Sequence, residues 1–367
     1  MSADVLVVGG GVAGGALAAY LARAGRHVVL LERKSGPHDK VCGEFVSGEA
    51  ADYLRDLDID LERLGAVHIS TVRIYARQRI VSAKLRFPAF SISRRVLDEA
   101  VLSKALSCGA ELKRGHLVRS LRPFGGQWIV DLDGAGELAA PGSFLATGKH
   151  DLRGWKRPLG IQNDLIAFKL HWRVSTDQVA ALTACVELFV FPGGYAGLSL
   201  VENGIANLCL VIRKSYFARL GNVWDALLTS LRAEFSTLDE RLADAEPCYD
   251  RPLAIASIPY GYVQGRGIGP WCIGDQAAVI PSFSGDGIAI ALHSARLGSK
   301  YFLAGKTDSE FQTCLARDIT GQVRRATLIS RVLVQRWGQG AMMEMARLAP
   351  RLISDIADLT RIPSHRL

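Results

Sequence analysis

Apolar positions follow two patterns along this chain, and each pattern predicts one kind of strand. Continuous apolar runs at residues 5–8 and 28–31 are typical of strands buried on both faces of a parallel sheet. Alternating apolar and polar residues from 166 to 213 predict antiparallel strands, with a turn at the Pro-Gly-Gly of 192–194. A small-residue segment ending near residue 23 separates the first two runs and has the length of a helix. The chain therefore combines a parallel α/β unit with antiparallel strands.

The remaining segments alternate between helical and strand patterns. Residues 44–64 and 94–106 have the spacing of helices, and residues 67–92 predict short strands. Residues 108–149 predict a β-meander that feeds back into the parallel sheet, and residues 223–242 predict one helix. No internal repeat or low-complexity segment is present in the sequence.

The glycine pattern between the first two apolar runs carries the strongest chemical signal. Gly9, Gly11 and Gly14 form a G-x-G-x-x-G sequence directly after the first strand. The first glycine permits a tight turn, the second lets the backbone approach a pyrophosphate, and the third allows close packing of helix on strand. Glu32 ends the second strand, where a carboxylate suits a ribose 2′-hydroxyl and repels a 2′-phosphate. The pattern therefore predicts bound FAD or NAD rather than NADP.

A second chemical signal lies far along the chain, in residues 271–292. A strand ends at Gly274 and Asp275, a loop carries Pro281, and a small-residue helix begins at 285–287. An acceptor at a strand end can hold a sugar-alcohol chain, and a helix N-terminus stabilises negative charge on a reduced flavin ring. An ordinary loop with an N-capping aspartate is the alternative interpretation of this segment.

Length and cysteine usage are those of an intracellular enzyme. The chain has 367 residues, enough for a large core shared by two joined domains. Its seven cysteines are scattered without a C-x-x-C pair, so neither a disulfide scaffold nor a zinc site is expected. No leader is expected before the first strand, and no apolar run reaches the length of a membrane span. We therefore expect a soluble cytoplasmic protein without a bound metal.

The formal net charge of +8 does not predict a nucleic-acid partner, because much of it lies in the C-terminal tail. From Thr313 onward there are nine arginines, no lysine and four acidic residues. Segments 322–337 and 345–359 interleave arginines with apolar residues, which predicts amphipathic helices packed on the body. Peripheral contact with a membrane surface, or with an acidic partner, is the alternative use of this tail.

Together, these segments resemble the FAD-dependent oxidoreductases of the aromatic-hydroxylase superfamily, in particular its geranylgeranyl-reductase-like branch. The resemblance implies that the first glycine motif binds the ADP half of FAD and that Arg94, in an R-x-x-L-D helix start, lies near the phosphates or the ribityl group. It also implies that Val118 touches adenine and that Asp275 holds the ribityl chain. The cofactor-binding residues predicted in this way are Gly9, Gly11, Val12, Ala13, Gly14, Glu32, Arg33, Cys42, Arg94, Val118, Gly148, Asp275, Pro281, Gly285, Asp286, Gly287 and Ile288.

Two departures from the family pattern bear on the reaction. Many hydroxylases of the superfamily carry an Asp-Gly pair that serves both FAD and NAD(P)H, but residues 146–148 read Ala-Thr-Gly here. NAD(P)H is therefore a candidate electron donor and no more. The reductase branch has an aromatic pattern ending in Phe-Pro, and this chain has Glu187 and Phe189 where tyrosine and tryptophan are expected. The altered pattern favours oxygenation over reduction, and the W-x-W-x-I-P signature of flavin halogenases is absent from the sequence.

Residues 40–44, Lys-Val-Cys-Gly-Glu, resemble the Cys-Gly segment that lies near the flavin in the reductase branch. Cys42 is a candidate catalytic acid, and the alternative is a small side chain with a packing role only. Glu44 is a candidate for polar contact with substrate or flavin, and the alternative is a helix cap. His171 and His293 are interpreted as structural residues rather than bases.

These observations predict an α/β fold with a Rossmann-type FAD-binding domain, an antiparallel β-sheet substrate domain and a helical C-terminal tail. An apolar small-molecule substrate is expected to enter between the two domains. We expect hydroxylation of an aromatic or polyketide-like molecule through a flavin hydroperoxide, and the alternatives are reduction of a carbon–carbon double bond and a non-catalytic flavin-binding role. The predicted segments are 1–73, 93–165 and 263–305 for the FAD-binding domain, 74–92 and 166–262 for the substrate domain, and 306–367 for the C-terminal helices.

Overall fold

A parallel sheet of five strands forms one half of the protein. The structure is a computed structural model, and it describes residues 3–76, 79–265, 267, 269–348 and 361. The two continuous apolar runs are its central strands, and they are buried at every position, as expected for strands covered on both faces. The strands in spatial order are β17 (Trp271–Cys272), β10 (Gly142–Leu145), β1 (Val5–Val8), β2 (Val28–Glu32) and β6 (Glu111–Arg114).

Ten helices surround the sheets within the described ranges. Four of them begin at a side-chain cap, which satisfies a free N–H of the first turn: Ser47, Ser93, Ser175 and Thr307 each accept such a bond. The helices are α1 (Val12–Arg23), α2 (Gly48–Asp56), α3 (Arg94–Ser107), α4 (Thr176–Leu182), α5 (Lys214–Arg219), α6 (Trp224–Glu234), α7 (Ser236–Arg241), α8 (Gly287–Leu303), α9 (Asp308–Leu333) and α10 (Arg336–Leu348).

A second sheet of nine strands forms the other half. Its spatial order is β15-β11-β14-β13-β12-β4-β5-β3, with β16 also paired to β11. All pairs are antiparallel except β4 with β12, which run parallel. Its strands are β3 (Phe45–Val46), β4 (Val67–Ala76), β5 (Arg79–Ser91), β11 (Leu165–Arg173), β12 (Cys185–Phe191), β13 (Gly194–Leu200), β14 (Ile205–Arg213), β15 (Glu246–Pro247) and β16 (Leu253–Ala256). A separate antiparallel sheet contains β7 (Val118–Phe124), β8 (Gln127–Leu132) and β9 (Gly136–Ala140).

Strand β4 extends the large sheet beyond the predicted segment boundary. The boundary between residues 73 and 74 falls inside this ten-residue strand, which pairs with β5 from its first residue to its last. Segment 67–92 therefore forms two long strands rather than several short ones. The physical reason is that residues on both sides of position 73 pair with β5, so cross-strand contacts hold β4 together as one strand.

The two faces of the large sheet belong to different hydrophobic cores. Phe168 and Leu170 of β11 point to one face, where helices α5, α6 and α7 cover them. Ala167, which alternates with them, points to the opposite face and packs with residues 258–262 and with the end of α9. We call these the far face and the near face. The near face looks toward the parallel sheet, so it is the face that can contribute to a site between the sheets.

Two predicted helices are shorter in the structure than their patterns suggested. Segment 44–64 is helical only over α2, because β3 precedes it and turns follow it. Segment 223–242 breaks into α6 and α7 at Phe235, whose backbone is extended at φ −124° and ψ 99°. The Phe235 side chain is buried in the far-face core. Burial of this ring therefore overrides the helical pattern at that position.

Helix α9, the first helix of the C-terminal tail, packs on the body through one side. Its buried residues recur at helical spacing, as the amphipathic pattern predicts, and include Phe311, Leu315, Ile319 and Val323. Most of segment 345–359 lies outside the described residues. Among the helices that the structure describes, none combines the length and the apolar character needed to cross a bilayer.

Candidate functional site

A cavity of about 700 Å³ opens at the carboxyl ends of the parallel strands. The loops after β1, β2, β10 and β17 meet there, because the carboxyl ends of parallel strands share one edge of the sheet. The remaining walls come from residues 37–45, from the near face of the large sheet and from residues 253–260. The cavity therefore joins the glycine-rich edge of one sheet to the near face of the other.

Two glycines of the first motif are required by the backbone itself. Gly9 has φ +112°, and a Cβ there would lie 2.4 Å from the carbonyl oxygen of Ala146. A Cβ on Gly14 would lie only 1.9 Å from the carbonyl oxygen of Gly9. Gly11 differs, since its nearest neighbours are the Lys40 Nζ at 3.4 Å and the Arg94 Nη2 at 3.5 Å. The space above Gly11 is thus open and faced by two cations.

The cations above Gly11 are held in place by one buried carboxylate. Asp98 accepts from Arg94 Nε at 2.8 Å and forms an ion pair with Lys40 Nζ at 2.7 Å. Burial opposes ionisation of Asp98, but the charges of Arg94 and Lys40 outweigh it and hold its pKa below the ordinary value. Helix α1 begins at Gly11 without a side-chain cap. A free helix N-terminus with two cations beside it fits a pyrophosphate.

Glu32 is oriented by the backbone at the end of β2. Its Oε2 accepts from the Gly10 N–H and its Oε1 from the Lys34 N–H, both at 2.9 Å. The carboxylate lines the cavity and retains further lone pairs, since an ionised carboxylate can accept about four hydrogen bonds. Its position therefore fits a ribose with free hydroxyls.

Replacing Glu32 is expected to weaken cofactor binding. Glu32→Ala should cost about 1–3 kcal/mol of FAD binding free energy, because the ribose hydroxyls lose a charged acceptor. The check is titration of the apoprotein with FAD, followed by flavin fluorescence. Glu137→Ala, at an exposed ion pair on β9, is the matched control and should bind FAD normally. Equal affinity of Glu32→Ala and wild type for FAD would show that Glu32 does not contact the ribose.

The second sequence motif also lines the cavity. Gly274 has φ +59°, and the following Asp275 lies on the cavity wall with its Oδ2 3.6 Å from Lys149 Nζ. The main-chain oxygen of Asp275 accepts from Arg157 at 2.7 Å, which fixes the turn. Helix α8 begins beyond the next loop with no side-chain cap, and Gly287 and Ile288 line the cavity. This second free helix N-terminus fits the electron-rich edge of a flavin ring.

Three predicted cofactor contacts lie outside the cavity lining, and each has another role. Gly14 lies under Gly9 inside α1, where it permits close packing. Pro281 is buried at the start of a 3-10 turn. Asp286 is buried, and its Oδ1 lies 3.2 Å from Arg361 of the C-terminal segment. The predicted residues that line the cavity are Gly9, Gly11, Val12, Ala13, Glu32, Arg33, Cys42, Arg94, Val118, Gly148, Asp275, Gly285, Gly287 and Ile288.

The two candidate catalytic residues occupy different environments. Cys42 is half-buried on the cavity wall, and its Sγ accepts from the Glu44 N–H at 3.3 Å. Glu44 has a fully buried side chain and a left-handed backbone at φ +59°. Its Oε1 accepts from the Arg94 N–H at 2.7 Å, at the start of α3. Glu44 therefore caps a helix, as the alternative interpretation held, although the cap is buried rather than solvated.

Glu44 also belongs to a buried charge cluster behind the cavity wall. Its Oε1 lies 2.5 Å from Lys169 Nζ, and its Oε2 lies 2.7 Å from His171 Nε2. The Tyr249 hydroxyl lies 2.9 Å from His171 Nδ1, and Asp39 Oδ1 lies 3.5 Å from Lys169 Nζ. We call these five residues the Lys169 cluster. Asp39, Glu44 and Tyr249 line the cavity, so the cluster is part of its wall.

The cluster contains a set of atoms that could ligate a metal, but it has its own cation. One ligand atom each from Asp39, Glu44 and His171 lie within 4.8 Å of one another. The Lys169 ammonium contacts both carboxylates, so it supplies the positive charge that these two anions need. The arrangement therefore has the chemistry of a hydrogen-bonded charge network.

Sequence reasoning did not identify the Lys169 cluster as a unit, although one signal for it is present. Strand β11 reads Leu-Ile-Ala-Phe-Lys-Leu-His-Trp, so Lys169 and His171 interrupt an apolar strand with a period of two. That period places both side chains on the near face beside Ala167. Two polar residues on one buried face need partners, which is the signal that was available.

Glu187 and Phe189 lie on the far face, away from the cavity. Both Glu187 oxygens accept from Arg241, and one also accepts from the Tyr75 hydroxyl at 3.0 Å. The Phe189 ring stacks on Tyr75 at 4.8 Å between centroids. The altered aromatic pattern therefore belongs to the far-face core under α7. It does not change the composition of the cavity wall.

Comparisons with known proteins agree with the fold and the cofactor site. A family model described as pyridine nucleotide-disulphide oxidoreductase matches residues 1–74. A menaquinone reductase of Mycolicibacterium smegmatis is 28% identical over 330 residues, which is 83% of this chain and 77% of the relative. A digeranylgeranylglycerophospholipid reductase of Methanopyrus kandleri is also 28% identical, over 82% of this chain and 76% of its own. The solved structure of the flavin-dependent brominase Bmp2 superposes with a TM-score of 0.80 at 19% identity, covering 98% of this chain and 93% of that one.

The cavity and the comparisons lead to the same cofactor. Two uncapped helix N-termini, the cations above Gly11 and carboxylates at two strand ends match the phosphate, ribose and flavin parts of one dinucleotide. Structures of the same fold include complexes with FAD. FAD is therefore the cofactor that this cavity fits, and the chain is similar to the two reductases named above over about four fifths of its length.

Proposed function

We propose that this oxidoreductase reduces a carbon–carbon double bond in an apolar small molecule. The observation that carries the proposal is the wall of the cavity beyond the cofactor motifs. It includes Ala167, Ile255, Ile258 and Val279, and the Lys169 cluster adjoins it. An apolar chamber with few polar groups suits an apolar substrate held by shape. The two reductases described above, each matched over most of this chain, support the same choice.

The residues of this chain have separate tasks in the reaction. When bound, reduced FAD supplies the hydride. The free N-terminus of α8 stabilises negative charge at the flavin edge, and the backbone at Gly287 leaves room for a ring because no atom lies within 4 Å of a Cβ there. The apolar wall excludes water from the reacting carbons, which favours hydride transfer over loss to solvent.

Oxygenation of an aromatic or polyketide-like molecule is the competing reaction. Its support in the sequence was the changed aromatic pattern at Glu187 and Phe189. Both side chains lie on the far face, under α7 and α6, and take part in the core there. The pattern thus gives no information on the chemistry in the cavity, and the preference for oxygenation loses its basis. The fold is shared with flavin-dependent brominase Bmp2, and that similarity bears on the fold alone.

Anaerobic reoxidation of the reduced holoenzyme tests the proposal. A short-chain menaquinone and geranylgeraniol serve as probes, because each carries isoprenoid double bonds. We expect at least one probe to give, without oxygen, one saturated isoprenoid bond per reduced flavin with the flavin hydride in the product. The saturated product is counted rather than flavin reoxidation, because the quinone ring of the menaquinone can itself accept two electrons from the flavin. The control is the same protein without FAD, which should give no product. Product that forms only with oxygen, and carries one oxygen atom from it, would establish oxygenation instead.

A further inference from the structure

Reduction of a double bond adds a proton as well as a hydride, so the cavity needs a proton donor. Among the described residues, Tyr249 and Tyr260 are the tyrosines that line it. The Tyr260 hydroxyl lies 3.1 Å from Ser282 Oγ, which lies 3.1 Å from the Tyr195 hydroxyl. Burial raises the pKa of Tyr195 to about 12 and that of Tyr260 well above its ordinary value. Burial raises the pKa of Tyr249 as well, so the two paths differ in what they reach. The path from Tyr260 ends on another tyrosine, whereas the Tyr249 hydroxyl leads to a histidine.

We propose that the Lys169 cluster stores one proton on His171 and delivers it to the cavity through the Tyr249 hydroxyl. The destination of the proton rests on the proposed reductase function. His171 is buried between Glu44 and Tyr249, with one ring nitrogen bonded to each. Tyr249 is half-buried and lies on the cavity wall. It therefore connects a buried titratable group to the space where a substrate would lie.

The hydrogen bonds around His171 allow two states with the same side-chain positions. An ionised carboxylate only accepts hydrogen bonds, so His171 Nε2 carries a proton toward Glu44. The Tyr249 hydroxyl can either donate or accept. Neutral His171 can therefore accept from Tyr249 at Nδ1. The imidazolium donates to Tyr249 from the same atom, and the Tyr249 hydroxyl then donates to the Asp39 carboxylate, its other hydrogen-bond partner. Addition of one proton reverses a single hydrogen bond at the cavity wall.

The charges of the cluster favour storage of one proton. Asp39 and Glu44 carry two negative charges, and Lys169 carries one positive charge. An imidazolium at His171 adds a second positive charge, so the two negative and two positive charges of the cluster balance. Balance is favoured because Lys169 and Glu44 are fully buried. Among the described residues, the other groups beside the cluster are Arg94 through its main-chain N–H, Cys42, Asn207, Cys209 and Cys248.

Tyr249 suits the role of outlet because it keeps its own proton. Burial, with a further contribution from the Asp39 carboxylate, raises the pKa of its hydroxyl. In the step, the Tyr249 O–H bond breaks as a C–H bond forms on one alkene carbon, and the other carbon receives the hydride. The Nδ1 proton of His171 then restores the hydroxyl. His171 is left neutral, with the proton on its own Nε2 still donated to Glu44, and solvent protonates Nδ1 again after the product leaves.

A second triad in the protein provides a matched control. The Tyr53 hydroxyl lies 2.7 Å from His293 Nδ1, and His293 Nε2 lies 3.2 Å from Asp318. The order of tyrosine, histidine and carboxylate is the same as in the Lys169 cluster, with an aspartate in place of the glutamate. The triad is absent from the described lining of the cavity. Tyr53→Phe therefore shows how much the loss of a tyrosine–histidine hydrogen bond affects the structure, without changing proton delivery to the cavity.

Nitrogen NMR of the holoenzyme with isotope-labelled histidine tests proton storage without any substrate. The His171 signals are assigned by their loss in His171→Gln. In the photoreduced enzyme at neutral pH we expect both His171 ring nitrogens to give imidazolium signals. A neutral imidazole at His171 in the reduced enzyme would refute the storage of a proton there, whichever reaction the enzyme catalyses.

Tyr249→Phe tests the outlet. Formation of the saturated product from geranylgeraniol or from the menaquinone probe should slow about 100- to 10,000-fold, because the proton donor is gone. FAD affinity and reoxidation by oxygen should stay at wild-type values, and Tyr53→Phe should react normally. Wild-type rates in Tyr249→Phe, or equal slowing in both variants, would refute the outlet. If neither probe gives a saturated product with the wild type, the reductase function is refuted, and the NMR experiment still decides whether His171 stores a proton.

Discussion

Gly14→Ala is expected to prevent stable folding, whereas Gly11→Ala should fold and lose most of its FAD affinity. A Cβ at Gly14 would lie 1.9 Å from a backbone oxygen, and neither partner can move without separating α1 from β1. We expect a loss of at least about 3 kcal/mol in unfolding free energy. At Gly11 the nearest atoms are 3.4 Å away, so a methyl group fits the apoprotein. It fills the space that a phosphate needs, at a cost of about 1–3 kcal/mol in FAD binding.

Urea unfolding of the apoproteins and FAD titration distinguish these two effects. Gly36→Ala is the control, since a Cβ there meets no atom within 4 Å and Gly36 does not line the cavity. It should match the wild type in both measurements. A Gly14→Ala protein with wild-type stability would contradict the packing described for α1. A Gly11→Ala protein that binds FAD normally would place the pyrophosphate elsewhere.

Lys169→Met is expected to destabilise the apoprotein by about 3–5 kcal/mol. The lysine is fully buried, and its loss leaves the carboxylate of Glu44 without its closest cation. Removal of one partner from a buried pair costs more than the pair contributes, because the remaining charge stays buried. The double variant Lys169→Met/Glu44→Gln should therefore regain part of the lost stability, since the glutamine is neutral.

Urea unfolding followed by circular dichroism measures both variants. Lys306→Met removes a lysine from an exposed pair with Glu310 on α9 and should change stability by no more than about 0.5 kcal/mol. The double variant is the decisive comparison. If it is less stable than Lys169→Met alone, the loss comes from packing of the lysine stem and not from an uncompensated charge.

The parallel half of the fold was predictable because its signals are local. One continuous stretch contains β1, the glycine turn, α1 and β2, and Gly14 is required by the backbone of Gly9 within that stretch. Asp275 and the start of α8 were predictable for the same reason. The glycine-rich segment bends the backbone locally, and the free helix N-terminus then faces the carboxyl edge of the sheet.

The Lys169 cluster was not predictable as a unit because its partners are far apart in sequence. Lys169 and Glu44 are separated by 125 positions, and Tyr249 joins from a third segment. The role of Asp98 was hidden in a similar way. Its i,i+4 pairing with Arg94 can be read from the sequence, but the contact with Lys40 across the cavity cannot. Long-range pairing of this kind is decided by the arrangement of the sheets.

The faces on which Glu187 and Phe189 lie were not predictable from the sequence, for a geometric reason. A family pattern lists residues in order along a strand, but successive residues on a strand point to opposite faces. Without the position of the sheet, positions 187 and 189 could belong to either side. The structure places them with Tyr75 and Arg241 in the far-face core. Their chemistry therefore concerns the stability of that core.

Because successive residues of β11 point to opposite faces, substitutions in this strand act on two different parts of the protein. Phe168, Leu170 and Trp172 belong to the far-face core, while Ala167, Lys169 and His171 face the cavity side. Substitutions at Phe168, Leu170 or Trp172 should therefore alter abundance in the cell, and substitutions at Ala167 or His171 should alter turnover of substrate, whereas the buried Lys169 affects both. A lineage could retune its substrate through alternate codons of β11 while the intervening codons keep the protein folded.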